Sequence, residues 1–384
     1  MTNAYASPAS YPGSPLSQIF AQPLFLGLFL PIQAGGWSPS TLERTTDWSF
    51  EYNKRLTLTA EALGFDLVFA LSQWLPKGGH SEVFNGEALD SFIAMAALAG
   101  VTERIALIAT VHVLYGPWHP LHMAKFGATL DHITGGRWGL NIVTGHRAVE
   151  HEMFGYDAQI EHDLRYELAA EFIETVTKLW HSEENFSYAG KSSWRLKDAF
   201  VTPRPNFGRP ILINATGSDA GIDFASRYSD IVFITNPTGA DMQSAREALP
   251  AHTARIKQAA RDRGREVKLL INPMVVARDT EKEAWAQADA IVAHADPTNS
   301  GGFGKYKTDS HAWRGRAGKV DPYGVVGGNI RVVGTPEQVV DDFATLKAAG
   351  IDGLQISFFD FEPDLAYFGE RILPLMKQAG LRLY

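Results

Sequence analysis

The chain has 384 residues, of which 45% are hydrophobic and 20% charged, the composition of a globular protein with a sizeable core. Its formal net charge of −8 argues against partners such as nucleic acid or an anionic membrane surface. It has no cysteine, which excludes disulfides, thiolate nucleophiles, iron–sulfur clusters and cysteine zinc sites.

The first 22 residues are rich in Ala, Ser, Pro and Tyr and have neither a basic start nor an apolar centre. They lack the features of a secretory signal, and no apolar run in the chain reaches the roughly 18 residues of a membrane span. We therefore expect a mobile or partner-embracing arm at residues 1–22 and a cytoplasmic protein with no membrane partner. Residues 23–384 are expected to form a single domain.

Apolar runs of strand length alternate with helical patterns along that domain. Strands are predicted at residues 24–32, 66–71, 104–111, 137–145, 210–215, 230–235, 267–277 and 353–358. Helices are predicted at residues 50–63, 90–99, 119–133, 166–180, 218–228, 240–263, 280–295 (capped by Asp279), 335–349 and 363–377. This alternation predicts the α/β class and a (β/α)₈ TIM barrel, with a doubly wound sheet as the alternative.

Two stretches interrupt the alternation. Residues 184–209 indicate a small hairpin excursion, and residues 296–333 a long Gly- and Lys-bearing loop. Both are longer than ordinary connections in a barrel, so we expect insertions that act as lids.

Polar side chains occur where buried strands end. Asn141 lies in the middle of the fourth predicted strand and Thr144 near its end, and Thr110 lies near the end of the third. Leu71 ends the second strand. Because the carboxyl ends of barrel strands meet at one rim, these four residues are candidates for one site.

A candidate phosphate site follows the fifth strand. Gly217 and Ser218 open a helix there, and free backbone N–H groups together with the helix dipole suit a phosphate. Arg165 and Tyr166, at the start of an earlier helix, can reach the same group. A simple N-cap at Ser218 and a solvated charge at Arg165 explain the same residues without a ligand.

Aromatic residues near the predicted rim complete this pattern. Trp74, Trp118 and Phe358 are placed to face a flat ring, although ordinary packing also accounts for them. No Gly-x-Gly-x-x-Gly follows a strand, and no histidine pair has a carboxylate spaced for a metal, so neither a dinucleotide fold nor a metal site is predicted. The pattern favours a planar, phosphate-tailed cofactor.

The chain resembles the luciferase-like flavin-dependent monooxygenases over residues 25–376. The stretches that carry the resemblance are residues 26–32 with Gly36 and Trp37, 46–53, 135–145, 217–221 with 225–228, and 367–375. Within this family it is most similar to the pyrimidine monooxygenases, while residues 46–53 and 116–118 are closer to the dimethyl sulfone monooxygenases.

The resemblance implies a (β/α)₈ barrel that binds reduced FMN made by a separate flavin reductase and uses it with dioxygen. By matching position, the FMN site would comprise Trp74, Leu75, Asn141, Glu150, Arg165, Tyr166 and Ser218, to which the rim and helix patterns add Thr144 and Gly217. Leu71, Thr110 and Asn141, the predicted catalytic residues, match the small dioxygen pocket of the pyrimidine monooxygenases. Dimers or tetramers are usual in the family, so a homo-oligomer is expected.

The chemistry of these three side chains suits that role. Leu71 offers apolar dioxygen a dry surface, and the Thr110 hydroxyl and Asn141 amide offer hydrogen-bond donors to the anionic peroxide formed from it. Exclusion of water by a lid would prolong the life of such an adduct.

The predicted reaction is oxidative cleavage of a carbon–heteroatom bond, favoured as C–N, in a small heterocycle or amide through a flavin peroxide. Residues 72–86 and 111–119 depart from the pyrimidine pattern, so candidate substrate contacts are His80, His112, Trp118, His119 and Phe358, the three histidines also being acid–base candidates. The alternatives are a sulfone (C–S) monooxygenase, an oxidative lyase for a riboflavin-like substrate, a deazaflavin-dependent reductase and a non-catalytic flavin-binding barrel.

Overall fold

The computed structural model describes residues 6–81, 83–299, 308–310 and 321–383. The strands are β1 (Phe25–Phe29), β2 (Leu67–Ala70), β3 (Ala106–His112), β4 (Trp138–Val143), β5 (Phe186–Ala189), β6 (Arg195–Ala199), β7 (Ile211–Ala215), β8 (Ile231–Ile234), β9 (Lys268–Ile271), β10 (Pro273–Ala277), β11 (Ile330–Gly334) and β12 (Gly353–Phe358). The helices are α1 (Pro15–Ala21), α2 (Phe50–Leu63), α3 (Ser91–Ala99), α4 (Pro120–Thr134), α5 (Ala148–Met153), α6 (His162–His181), α7 (Asp219–Tyr228), α8 (Met242–Arg261), α9 (Glu281–Ala293), α10 (Pro336–Ala348), α11 (Phe361–Tyr367) and α12 (Leu373–Gln378). None of the helices among the described residues is long and apolar enough to cross a membrane.

The central feature is a closed parallel barrel. Its strands follow the order β1-β2-β3-β4-β7-β8-β9-β12, and β12 pairs in turn with β1. Helices cover the outside of this ring, as expected when each strand is followed by a crossover helix. The predicted (β/α)₈ barrel is therefore confirmed.

Side chains alternate across the wall with the period of two that strands impose. In β4, Trp138, Leu140 and Ile142 join the core between strands and helices, while Asn141 faces the interior cavity described below. Because the interior faces of the strands converge at their carboxyl ends, inward-facing polar side chains are brought together at one mouth.

The seventh barrel strand changes partners half way along. β9 pairs with β8, but after Asn272 the chain continues as β10, whose free edge pairs with β11. The sequence predicts one strand at residues 267–277 and a loop at 296–333, whereas the structure places the extra strand β11 at the end of that loop. Both β9 and β10 remain next to β12.

The N-terminal segment differs from its prediction as an arm. Within residues 6–22, α1 packs Leu16 and Ile19 into a buried cluster with residues at the starts of barrel strands, such as Phe25, Ile211 and Ile231. Ser7 Oγ also donates a hydrogen bond of 2.6 Å to buried Asp230. These residues close the N-terminal end of the barrel because they supply the apolar surface that its open end lacks; residues 1–5 lie outside the described part.

Smaller differences concern connections. The predicted excursion contains the antiparallel hairpin β5–β6, whereas α5, in the loop after β4, was not predicted. α9 is capped by Thr280 in a reciprocal capping box with Glu283, not by Asp279. The predicted last helix is two helices joined by a π-helical turn over Phe368–Ile372.

Candidate functional site

A cavity of about 530 Å³ opens at the carboxyl ends of the barrel strands. Its aromatic part consists of Phe29, Trp37, Phe69 and Phe233, whose rings contact one another, with Phe29 stacked on Trp37 at 3.7 Å between centroids. Trp37 is held by a 3.0 Å hydrogen bond from Nε1 to the Phe29 carbonyl. This rigid apolar surface suits a flat ring or an apolar substrate.

The predicted oxygen pocket forms one side of the same cavity. Leu71, Thr110 and Asn141 all line it, and Asn141 Nδ2 donates to Thr110 Oγ1 at 3.0 Å. Thr110 Oγ1 in turn donates to the Ala70 carbonyl at 2.7 Å. The Thr110 hydroxyl therefore donates its hydrogen bond within the protein, whereas the sequence predicts that it donates to a ligand. Asn141 carries the available N–H, and Thr110 orients it.

A second polar region lies at the start of α7. Ser218 caps the helix and accepts a hydrogen bond of 3.0 Å from the Gly221 N–H. Thr216 Oγ1 is buried without a hydrogen-bond partner among the described residues. A Cβ on Gly221 would come within 1.7 Å of that hydroxyl and within 2.7 Å of Tyr166 Oη, so the glycine allows these groups to converge. The region offers hydroxyls and a helix N-terminus to an anion.

Arg165 lies beside this region and is already paired. Its guanidinium is buried and donates to the Ile160 carbonyl and to Asp309 Oδ2, both at 2.7 Å. Asp309 belongs to the long insertion, whose Thr308 forms an isolated bridge with Arg147. The insertion therefore places a carboxylate against the arginine predicted to hold a phosphate.

Glu150 lies behind the cavity wall and joins several predicted residues. Its buried carboxylate accepts hydrogen bonds from Tyr115 Oη at 2.5 Å, from Arg147 Nη1 at 3.1 Å and from the Trp74 backbone N–H at 3.5 Å. His112, the last residue of β3, lines the cavity with Nε2 at 3.7 Å from Glu150 Oε2. This is a compact charged network next to the mouth.

The protonation states in this network follow from burial and charge. Burial lowers the pKa of His112, and Arg147 and His151 lower it further, while Glu150 raises it. Burial alone would raise the pKa of Glu150, but His112, Arg147 and the Tyr115 hydroxyl hold it below its ordinary value. Burial and Glu150 raise the pKa of Tyr115. Near pH 7, Glu150 is therefore ionised and His112 neutral.

Most of the predicted site residues meet at the cavity, but not all. Those in its wall are Leu71, Thr110, His112, Asn141, Thr144, Arg165, Tyr166, Gly217 and Ser218. Trp74, Leu75, His80 and Glu150 are not in the wall, although His80 and Glu150 both contact the wall residue Arg147.

Three predicted substrate contacts lie elsewhere. Trp118 packs on Phe92 of α3, His119 caps α4 by accepting from the Leu121 N–H, and Phe358 packs on Phe361 in the layer between strands and helices. Successive side chains of β12 point to opposite faces of the barrel wall. Phe358 faces the surrounding helices, and Gln355 and Ser357 lie on the opposite face.

Several wall residues were missed. Phe29, Phe69, Phe233 and Asn272 follow from the same alternation that places Asn141 inside, so the strand pattern contained the signal. Asp309 and the residues of the last turn before β11 come from the long insertion, whose path no local pattern indicates.

Comparison with known proteins agrees with this architecture. The profile of the luciferase-like monooxygenase family matches residues 25–353. The FMNH2-dependent dimethylsulfone monooxygenase of Pseudomonas putida is 34% identical over 93% of this chain and 96% of its own. The pyrimidine monooxygenase RutA of Variovorax paradoxus is 32% identical over 92% of this chain and 94% of its own.

Solved structures show the same fold at lower identity. Riboflavin lyase RcaE superposes with a TM-score of 0.78 at 23% identity, covering 94% of this chain and 92% of that one. DmoA from Hyphomicrobium sulfonivorans superposes with a TM-score of 0.75 at 21% identity, covering 93% and 88%. With the family profile spanning most of the barrel, the chain belongs to the luciferase-like monooxygenases.

Proposed function

We propose that this chain is the oxygenase of a two-component system. It takes reduced FMN from a separate flavin reductase and, with dioxygen, oxidatively cleaves a carbon–heteroatom bond in a small organic molecule. The observation that carries this proposal is that one cavity contains both an anion cradle at the start of α7 and the Leu71, Thr110 and Asn141 pocket.

The cradle fits the phosphate of FMN. Thr216 Oγ1 and Arg165 Nε are buried polar atoms without hydrogen-bond partners among the described residues, and such atoms normally find a partner. Ser218, Tyr166 and the N-terminus of α7 surround the same space. A phosphate here would satisfy these groups and would fix the remainder of the cofactor in the cavity.

The pocket fits the reactive part of the cofactor. Reduced FMN supplies the electrons that activate dioxygen. Leu71 provides apolar surface, and the Asn141 amide, held by Thr110, presents an oriented donor to negative charge that develops beside it. The chain's own contribution is thus to orient the ring, exclude water and stabilise that charge.

The favoured bond is C–N in a heterocycle or amide, and a sulfone C–S bond is the second candidate. The identity to RutA of 32% supports the first, and the 34% to the dimethylsulfone enzyme supports the second. The homo-oligomer stays a prediction, which light scattering would test.

The first experiment is anaerobic titration of the protein with reduced FMN, followed by mixing with aerated buffer. We expect saturable binding and a reoxidation rate that differs from that of free reduced FMN. Uracil and dimethyl sulfone are then added in turn, and the compound that is consumed identifies the bond. Absence of binding together with binding of a reduced deazaflavin would favour a reductase instead.

Asn141→Ala tests the residue that carries the oxygen reaction. Loss of one preorganised donor costs roughly 10²–10³ in rate, so we expect oxygen-dependent turnover to fall by that order while reduced FMN still binds. Asn206→Ala is the matched control, because this exposed amide lies on the barrel surface. Equal loss in both variants would contradict the assignment.

A further inference from the structure

Within the described residues, the arginines of the cavity wall all form ion pairs with carboxylates. In the described part of the chain, Arg147 pairs with Glu150 at 3.1 Å and Arg165 with Asp309 at 2.7 Å. Arg331 pairs with Asp321 at 2.7 Å. A ring that enters this cavity with a negative charge therefore meets fixed cations that already have partners. Compensation requires a group that can gain charge.

Three histidines lie in the described wall, and they are His112, His146 and His162. His146 contacts Thr308 and His162 contacts the exposed Asp163, whereas His112 faces the buried carboxylate of Glu150.

His112 lies two residues after Thr110 on the same face of β3, so the two side chains are about 6–7 Å apart along the strand. Its ring stacks on Tyr115 with 4.8 Å between centroids and an angle of 20°. Nδ1 is enclosed and has no hydrogen-bond partner among the described residues, whereas Nε2 lies 3.7 Å from Glu150 Oε2. A proton at Nε2 would thus be next to a carboxylate.

Glu150 is held in place from three sides. Tyr115 Oη, Arg147 Nη1 and the Trp74 N–H all donate to it. Tyr115 therefore contacts both members of the pair, stacking on the imidazole and donating to the carboxylate. Such support fixes a titratable pair in one geometry.

The titratable and charged neighbours of His112 come from the loops after β3 and β4 and from α5, and they include His146 of the cavity wall. Arg147 and Glu150 with His151 belong to α5 and its N-cap, and Tyr115 to the loop after β3. Glu150 favours a proton on the ring, while burial, Arg147 and His151 oppose it, so the pKa of His112 is lowered without a ligand. An added negative charge in the cavity acts in the same direction as Glu150.

We propose that the His112 imidazole gains a proton and becomes an imidazolium beside Glu150 when the anionic ring of reduced flavin occupies the cavity, and that this makes the site select reduced over oxidised FMN. This inference rests on the proposed function. The proton comes from solvent, no other bond changes, and Glu150 and Tyr115 act as positioning residues. Oxidised FMN carries the same phosphate but a neutral ring, so it gains nothing from His112.

The expected pH dependence follows directly. At a pH above the pKa of His112 in the free protein and below its pKa in the complex, binding takes up about one proton. Outside that window the His112 imidazole has the same charge before and after binding, so proton uptake by His112 falls to zero.

Anaerobic calorimetry at a series of pH values from 6 to 9 measures this uptake and brackets the window, after subtraction of the protons that reduced FMN itself exchanges in solution. Titrations in two buffers of different ionisation enthalpy give the number of protons bound. We expect greater uptake for reduced than for oxidised FMN in the wild type. In His112→Gln the difference is lost, and within the window reduced FMN binds more weakly, by about tenfold for each unit by which the pH lies below the pKa of His112 in the complex, while oxidised FMN binds as before.

Two further variants control the result. His122→Gln changes an exposed histidine of α4 and should behave as wild type. Glu150→Gln keeps the imidazole but removes its partner, so the proton uptake should shrink. The NMR titration of the His112 ring in the ligand-free variant should shift to lower pH, and it is observable without any cofactor.

The outcomes separate the two proposals. Binding of FMN with uptake and selectivity that survive His112→Gln overturns the role of His112 and leaves the oxygenase intact. A His112 titration unchanged by Glu150→Gln overturns the positioning role. Failure of the wild type to bind either form of FMN overturns the oxygenase proposal and this inference with it.

Discussion

At the scale of single residues, Asp309 determines what Arg165 does before a ligand arrives. The buried guanidinium already has a carboxylate at 2.7 Å, so a phosphate must displace that carboxylate or share the arginine with it. An anion bound by an already neutralised cation gains less than one bound by a free cation.

Asp309→Asn should therefore strengthen FMN binding, by about tenfold if one charge-assisted contact is recovered. Riboflavin, which lacks the phosphate, should bind with unchanged affinity. Fluorescence titration of both flavins measures the two effects together. Glu167→Gln is the control, since it removes an exposed partner of Lys191 from the same helix, α6. Weaker FMN binding in Asp309→Asn would instead make Asp309 a contact that holds the flavin in place.

The sequence predicted several of the side chains that the barrel strands place in the cavity wall, while their roles stay a prediction. Thr110 and Asn141 were predicted from strand ends, and they form a direct hydrogen bond. The direction of that bond was not predictable, because it depends on the Ala70 carbonyl, which belongs to a neighbouring strand. No local sequence pattern identified Asp309 as a site residue, because its partner Arg165 lies 144 positions away in the chain.

At the scale of elements, α1 is part of the fold's core. Leu16 is fully buried and packs with the first residues of the barrel strands. Leu16→Ala should lower the free energy of unfolding by about 2–5 kcal/mol because it leaves a cavity, while the mouth, at the other end, should bind FMN as before.

Chemical denaturation with FMN titration tests this prediction. Ile133→Ala is a suitable control because Ile133 is 58% exposed on α4, and surface changes of this type stay within about 0.5 kcal/mol. A loss in Leu16→Ala as small as the one expected for Ile133→Ala would mean that α1 contributes little to the core.

Helices and strands were predicted correctly where their residues follow a regular local pattern. They were missed where the element depends on a pairing partner that is distant in the sequence. The bounds of α2 and β12 were predicted to the residue, since periodicity and end signals are local. β11 was missed because its pairing with β10 exists only after the seventh strand leaves β8 at Asn272. The sequence predicts an arm at α1 because its apolar residues are few, and the surface that they cover is formed by distant barrel strands.

At the scale of the whole molecule, buried histidines make stability depend on pH. Burial lowers the pKa of His112 and of His151, both nearly inaccessible. The fold therefore favours their neutral forms. The resulting stability is complete above the unfolded value of about 6.5 and is lost as the pH falls through the folded pKa.

We expect thermal stability to fall as the pH is lowered from 7 to 5. In the window between its unfolded and folded pKa values, each such histidine contributes a slope of about 1.4 kcal/mol per pH unit. Melting curves at a series of pH values measure this slope. His151→Gln should reduce it, whereas His122→Gln, at an exposed position, should not. An equal slope in wild type and His151→Gln would show that the buried imidazole of His151 does not destabilise the fold when it is protonated.

The closure of the barrel by α1 has a kinetic consequence. Among the described residues, Leu16 and Ile19 seal the N-terminal end of the barrel, and the cavity opens at the carboxyl ends of the strands. We therefore expect flavin, substrate and product to use the same opening, so that the molecule that enters last leaves first. Excess substrate that binds before the flavin should then inhibit the reaction.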